Sequence, residues 1–334
     1  MKASLDNPIY TVYIQCGGTK YNLSSVYTSL DFSDQDKQFS KSVNITVTDI
    51  KCGSTMLSKN VKVCDPVWIY ADDGTKKEEV WRGVVWTRTY TEGTDGKSFV
   101  LKCYDNLIYF QESEDAEYFS AGKSTKAIIQ KFCDKWGIKL EYSYESITHS
   151  KLALRGTLSN IFKDDLLETV RKKTGKKYVI LSEKGVVKIK HVGGNSDVYK
   201  IHAGKNAIKI GSEWTMDGVI TKVVILGKAD DEKRKPVEAT VSGWTNEYGT
   251  LQKLIDRDEN TSLAEARVEA QSIINENGKP WWVFSVSAPD IPWIRKGDKI
   301  HVKSQELDEY FIVVGIDREI TNKNKKMTLT FEFE

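Results

Sequence analysis

The sequence predicts a mainly β protein with an α+β insert, and three observations point that way. Six prolines against nine Trp and fifteen Tyr favour pleated, half-buried surfaces, on which aromatic side chains pack well. Short apolar–polar alternations separated by Asp/Gly turns occupy both ends of the chain, the pattern of a small barrel or sandwich. Between them the apolar spacing lengthens from two residues to the three and four of a helix. The 334 residues suffice for two or three domains.

Residues 1–110 read as strands and turns. Val43, Ile45 and Val47 alternate with Asn44, Thr46 and Thr48, turning one face inward. Val67 to Tyr70 is followed by the turn Ala71-Asp72-Asp73-Gly74, then Val80 to Trp86, the turn Glu92-Gly93-Thr94-Asp95-Gly96, and Phe99 to Tyr104. The pattern predicts a small barrel or sandwich, and we read it as a first β-barrel.

After an acidic stretch with Glu112, Glu114, Asp115 and Glu117, residues 111–203 read as an inserted α+β domain. Ile128, Ile129, Phe132, Cys133 and Trp136 fall at helical spacing, and Gly137 is placed to stop that helix. A second helix begins near Ser159, with Phe162, Leu166, Leu167 and Val170 on one face and Gly175 after it. Arg171, Lys172 and Lys173 suit the negative end of its dipole. A hairpin follows, Tyr178 to Leu181 and Val186 to Ile189, around Glu183-Lys184-Gly185.

Residues 204–334 return to strands and read as a second barrel carrying one helix. Ala207 to Ile210 and Val219 to Leu226 precede the polar loop Lys228 to Lys235. A helix over about 262–277 has every boundary signal: Ser262 and Glu265 at capping-box spacing, an apolar face of Leu263, Ala266, Ala270, Ile273 and Ile274, then Gly278 and Pro280. The remainder is strand: Trp282 to Val286, Lys299 to Val302, Tyr310 to Ile316 and Met327 to Phe333.

The end of the chain echoes its beginning. Asp65-Pro-Val-Trp-Ile-Tyr resembles Asp298-Lys-Ile-His-Val-Lys, Trp81-Arg-Gly-Val-Val-Trp resembles Ile312-Val-Val-Gly-Ile-Asp, and Lys97 to Tyr104 resembles Lys326 to Phe333. The order is the same each time: strand, turn, strand with a central glycine, polar arm, closing strand. Two antiparallel meanders can look alike for no deeper reason; a true duplication means two similar barrels flanking the insert.

Composition and motifs exclude more than they assign. Lys+Arg 49 against Asp+Glu 47 leaves no electrostatic footprint for nucleic acid or an anionic membrane. The longest strongly apolar run, Tyr310 to Ile316, is far below the ~20 residues of a membrane helix. The N-terminus lacks the apolar stretch of a secretory signal, so Asn22-Leu-Ser and Asn44-Ile-Thr are chance sequons. Cys16, Cys52, Cys64, Cys103 and Cys133 are odd in number with no CxxC spacing, which argues against a disulfide framework. Ala121 to Thr125 resembles the tail of a phosphate loop, but Glu117 stands where that loop needs glycine; Lys123 and Ser124 instead open the first helix. His149, His191, His202 and His301 are scattered, without local metal spacing. No GxSxG or HExxH is present. No catalytic residue, cofactor or metal is therefore assigned. The basic run from Arg171 to Lys190 reads as a solvated face, with an acidic partner as its alternative.

Trp281, Trp282 and Trp293 stand out as candidate interface residues. Neighbours on a strand point to opposite faces, so one of Trp281 and Trp282 needs a cover from outside its own core. A subunit contact supplies one; packing against the preceding helix supplies another.

The C-terminal third runs from the capped helix through Gly278-Lys279-Pro280, Ile294-Arg-Lys-Gly-Asp-Lys-Ile and Tyr310-Phe-Ile-Val-Val-Gly-Ile to Met327-Thr-Leu-Thr-Phe. In that arrangement it resembles the hub proteins of contractile phage tails, the late-control D and PBSX-like prophage group. The middle unit around Leu166 and Gly175 fits the same group, whereas residues 1–60 carry nothing diagnostic of it. What the resemblance implies is a structural baseplate hub with two tail-tube-like β-barrels separated by an α+β domain. Such a hub is a homotrimer that adapts a six-fold tail tube to a three-fold spike and forms part of the conduit. Tail tube protein, central spike protein and other baseplate components are its implied partners. Its implied place is the baseplate of a virion or tail-like particle assembled in the bacterial cytoplasm. A tail-borne peptidoglycan hydrolase and a carbohydrate- or receptor-binding β-module are the competing expectations.

Overall fold

The computed structural model describes residues 7–36, 38–94, 96–228, 235–257, 261–305 and 307–333. It forms two compact units, Met1–Gly211 with Ser285–Glu334, and Ser212–Phe284. The division falls elsewhere than the composition boundaries at 110 and 203. The first β region, the α+β segment and the final strands share the larger unit, and the helix over 262–277 belongs to the smaller one. Asp95 and parts of the loop 228–235 lie outside the described residues.

In the larger unit, the N-terminal strands are Ile9–Cys16, Tyr27–Asp34, Ser42–Thr48, Pro66–Asp72, Lys77–Gly93 and Gly96–Tyr104. Their alternation is realised in the packing. Val43, Ile45, Val47, Phe99, Leu101 and Cys103 are fully buried and meet Val12, Leu30 and Ile69 in one core. Each such side chain contributes roughly 1.5–3 kcal/mol by leaving water.

The α+β segment builds a second core. Ser124 caps the helix Thr125–Lys135 by accepting from the Ala127 amide at 3.2 Å, and Gly137 (φ +66°) ends it. The second helix starts at Leu158, runs through a π-helical stretch at Ile161–Leu167, and continues as Glu168–Thr174 to Gly175 (φ +72°). The hairpin Tyr178–Glu183 and Val186–His191 forms as expected, and Lys139–Ser143 adds to it in parallel.

The two end regions join edge to edge. Asp308–Thr321 pairs antiparallel with Tyr27–Asp34, from Ile316 opposite Asp34 to Thr321 opposite Ser29. The resulting sheet runs Lys209–Thr215, Trp281–Pro289, Lys325–Phe333, Asp308–Thr321, Tyr27–Asp34, Ser42–Thr48, Gly96–Tyr104, Lys77–Gly93, then Pro66–Asp72, Ile9–Cys16 and Thr19–Asn22. Lys299–Lys303 branches from Asp308–Thr321 and carries Tyr199–His202. Among the described residues the two end regions share one thirteen-stranded sheet, and neither closes into a barrel by itself.

The smaller unit is a three-stranded sheet, with Lys222–Leu226 between Val237–Ser242 and Gln252–Asp256. The helix Leu263–Asn277 covers it through Ala266, Ala270 and Ile274. Its capping box is complete: Ser262 Oγ accepts from the Glu265 amide, and Glu265 Oε2 accepts from the Ser262 amide.

The echo between the ends is a structural repeat. Val85 opposes Cys103 and Thr87 opposes Lys102, leaving Trp86 as an extra residue; Val313 opposes Phe331 and Gly315 opposes Thr330, leaving Val314 extra. Both strands of the second hairpin thus lie 228 residues after those of the first, with the bulge at the same place. This shifts the sequence correspondence: Val84, not Trp81, is the counterpart of Ile312, and Tyr104 that of Glu332. The central glycines misled it because they do different jobs. At Gly83 a Cβ would lie 2.0 Å from the Tyr104 carbonyl oxygen, whereas Gly315 follows the bulge and faces Gln35.

Candidate assembly surface

At the internal junction, alternating residues bury on the same side. Ile316, Arg318 and Ile320 face Asp34, Phe32 and Leu30, all buried. A set of charges fastens it. The Arg318 Nε donates to Asp290 Oδ1 at 2.8 Å, its Nη2 to the Ile291 and Ile294 carbonyls at 3.1 and 2.8 Å, and the Tyr10 hydroxyl donates to Asp290 Oδ2. Burial, then the Asp290 carboxylate, push the Tyr10 hydroxyl well above its ordinary pKa, which keeps it a donor. Lys296 Nζ meets Asp34 Oδ1 at 2.6 Å and the carbonyls of Gln35 and Gln38 at 3.1 and 3.0 Å. The loop around Ile294 therefore bolts the second β region onto the first.

The opposite side of the same strands is uncovered and polar. Asn44, Thr48, Lys102, Asp317, Glu319 and Thr328 are exposed there. Lys326 pairs with Glu319 at 2.7 Å. Burial raises the Asp31 carboxyl pKa against the Ser29 hydroxyl that lowers it. The surface mixes hydroxyls such as Thr48 and Thr328 with charges of both signs that nearly balance.

Among the described residues, Thr19–Asn22 pairs only with Ile9–Cys16 and Tyr199–His202 only with Lys299–Lys303, and the two ends of the eight-strand run from Lys209–Thr215 to Lys77–Gly93 also have an unpaired side. Lys77–Gly93 pairs with Pro66–Asp72 only as far as Val84, so Thr87–Gly93 pairs on one side alone, and every residue of it is exposed. At the far end, Lys209–Thr215 pairs only with Trp281–Pro289. Unpaired N–H and C=O rows of this kind are ready to accept another strand.

The three tryptophans take different places. Trp282 (46% exposed) stacks on Trp214 (62% exposed) with centroids 6.0 Å apart and planes 15° apart, and on Phe284 at 6.1 Å. Trp281 points the other way, and its Nε1 donates to the Asp217 carbonyl at 2.8 Å. Trp293 is taken up inside the chain: its Nε1 donates to Asp73 Oδ2 at 2.8 Å and Lys76 lies over its ring. The tryptophan packed against the end of the smaller unit's helix is Trp244, beside Gly278. Sequence reading passed over Trp214 and Tyr90, both exposed near the free edges. Their signal was a bulky aromatic in an otherwise polar strand.

Three histidines are engaged locally. His149 is buried against the Thr125 hydroxyl at 2.8 Å, His191 meets Glu145 at 2.7 Å, and His301 meets Asp308 at 2.8 Å. Among the described residues no His, Cys, Asp and Glu group could hold a metal ion. The basic run is partnered: Arg171 with Glu168, Lys176 with Glu145, Lys177 with Glu332, and Lys188 with Glu141 and Glu183. A cleft of about 520 Å³ beside Trp293 mixes both signs, with Lys184 reaching Glu78 across it. All five cysteines are free; burial pushes the Cys16 and Cys133 thiols up to about 12. No described helix is long and apolar enough to cross a membrane.

Comparison with known proteins agrees on the kind of protein. The YQBQ-like family model matches residues 30–332. The phage-like element PBSX protein XkdQ of Bacillus subtilis (strain 168) is 25% identical over 236 residues, 69% of this chain and 70% of XkdQ. The 43 kDa tail protein of prophage MuSo2 from Shewanella oneidensis shares the fold, with TM-score 0.69 and 14% identity over 97% of this chain and 98% of that one. The E. coli c3393 protein, described as a type VI secretion component structurally similar to the T4 tail proteins gp27 and gp5, superposes with TM-score 0.57. It is 9% identical, covering 92% of this chain and 74% of that one. In sequence and fold the chain is similar to phage tail proteins.

Proposed function

The chain belongs to the YQBQ-like family, and on that premise we propose that it is the structural hub of a contractile tail baseplate. Three copies form a ring that offers six like modules to a six-fold tail tube, with the three-fold spike on the other side. Each copy gives one tube-like module from its first 110 residues and another from its last strands, with the α+β segment between them. It works by assembly, without chemical turnover, within a virion or tail-like particle.

The observation that carries this reading is the repeat. Two hairpins with matching register and the same bulge lie four strands apart in one sheet. At strand spacings of about 4.8 Å that places equivalent hairpins roughly 19 Å apart. Eight strands run from Lys209–Thr215 to Lys77–Gly93, so three copies continue the same four-strand period around a ring. With strands tilted as in barrels, such a ring is roughly 40–50 Å across. The exposed polar side, with its charges nearly balanced, then lines the conduit.

Native mass measurement tests the proposal. The expected species is a trimer of about 114 kDa, three times the 37.9 kDa chain. A monomer alone, at high concentration and with purified tail tube added, would contradict it. A zymogram on peptidoglycan should show no clearing; clearing would favour the hydrolase instead.

A further inference from the structure

We infer that copies of this chain join by antiparallel pairing of Arg88–Gly93 of one with Lys209–Thr215 of the next, with Trp214 packed beside Tyr90. The inference rests on the ring proposed above and specifies its contact. Shifted by 228 residues, Ile316–Thr321, which makes the internal junction, becomes Arg88–Gly93, which among the described residues has no strand on its outer side. The molecule thus contains one finished junction and one half of a second.

The other half is Lys209–Thr215. Its direction follows from three contacts with the neighbouring strand. The Ile208 amide donates to the Ser287 carbonyl, Gly211 lies against Ser285, and Trp214 stacks on Trp282. One number rises as the other falls, so the two strands are antiparallel. The end of Trp281–Pro289 meets the start of Lys325–Phe333, where the Asp290 amide donates to the Lys325 carbonyl. Direction therefore alternates across all eight strands, and the two free edges run opposite ways. A second copy adds to the first in the same antiparallel sense as the internal junction.

The side chains agree with this placement. Tyr90 opposes Phe99 and Arg88 opposes Leu101, putting both on the core side of the sheet. Trp214 stacks on Trp282, which alternates with Phe284, Val286 and Ala288 and so points to the core side as well. At the internal junction these sides coincide. Tyr90 and Trp214 are 43% and 62% exposed in the single chain. Joining covers both and satisfies two rows of backbone donors and acceptors.

Cysteine cross-linking in the full chain, in a Cys64→Ser background, tests the contact. Tyr90→Cys is combined in turn with Ile210→Cys, Ser212→Cys and Trp214→Cys. At least one pair should give covalent multimers under mild oxidation, and single variants none. Trp214→Ser should weaken self-association at least tenfold while leaving circular dichroism unchanged. Multimers that form in the parent chain, yet never cross-link and ignore Trp214→Ser, would overturn this contact and leave the ring proposal intact. A parent chain that stays monomeric at every concentration would overturn both.

Discussion

Lys41 shows how the junction's buried charges set a pH response. Burial lowers its ammonium pKa, Arg318 and Arg295 lower it further against Asp34 and Asp105, and the result is about 7. A lysine whose folded pKa lies below its unfolded value contributes nothing adverse above pH 10.5 and loses stability as pH falls towards 7. Lys41→Met should therefore gain on the wild type by about 1 kcal/mol per pH unit between pH 10.5 and 7, then hold a constant lead. Urea denaturation across that range checks it, and a lead independent of pH would contradict the assignment. Arg318 behaves differently because its partner is an enclosed carboxylate, Asp290. Arg318→Met should cost roughly 3–5 kcal/mol by leaving that charge without its cation, and Asp290→Asn in the same background should recover part of it. Neither residue was legible in the sequence as a lock. A charged side chain declares its partner only through tertiary contact, and Tyr10, Asp290 and Arg318 are separated by hundreds of residues or by a loop.

Local patterns were far more readable at the level of helices and hairpins. The capped helix from Ser262, the stop at Gly137 and the turn at Glu183-Lys184-Gly185 all follow from backbone chemistry within a few residues. The repeat was legible in order but not in register, because Gly83 and Gly315 look alike in the sequence yet stand at different places in their hairpins. Trp86 and Val314 share no chemistry, yet occupy the same bulge. Gly83 is the element's tight point. Gly83→Ala sets a methyl 2.0 Å from the Tyr104 carbonyl oxygen, so the strands must part, at a cost of roughly 1–3 kcal/mol. Gly93→Ala meets no atom within 4 Å and should stay within about 0.5 kcal/mol. Thermal or urea midpoints of the two variants separate these outcomes; equal midpoints would mean the hairpin adjusts freely at Gly83.

For the whole molecule, the division into units was the least legible feature. The strands Lys209–Thr215 and Trp281–Pro289 belong to the repeat by their place in the sheet, while residues 212–284 between and within them form the compact smaller unit. Sequence patterning reads such an excursion as part of one domain, because strand character continues through it. Likewise Trp293 looked like Trp282 in the sequence, and only the fold tells a ring held by Asp73 from one left in solvent. Within the larger unit, the edge-to-edge junction is a finished example of the contact proposed between copies. Averaged electron-microscopy images of the purified protein, viewed along the ring axis, test this most directly. Six similar lobes arranged with three-fold symmetry are the predicted result. Isolated particles without an annulus, or a closed ring whose copy number is not three, would contradict it.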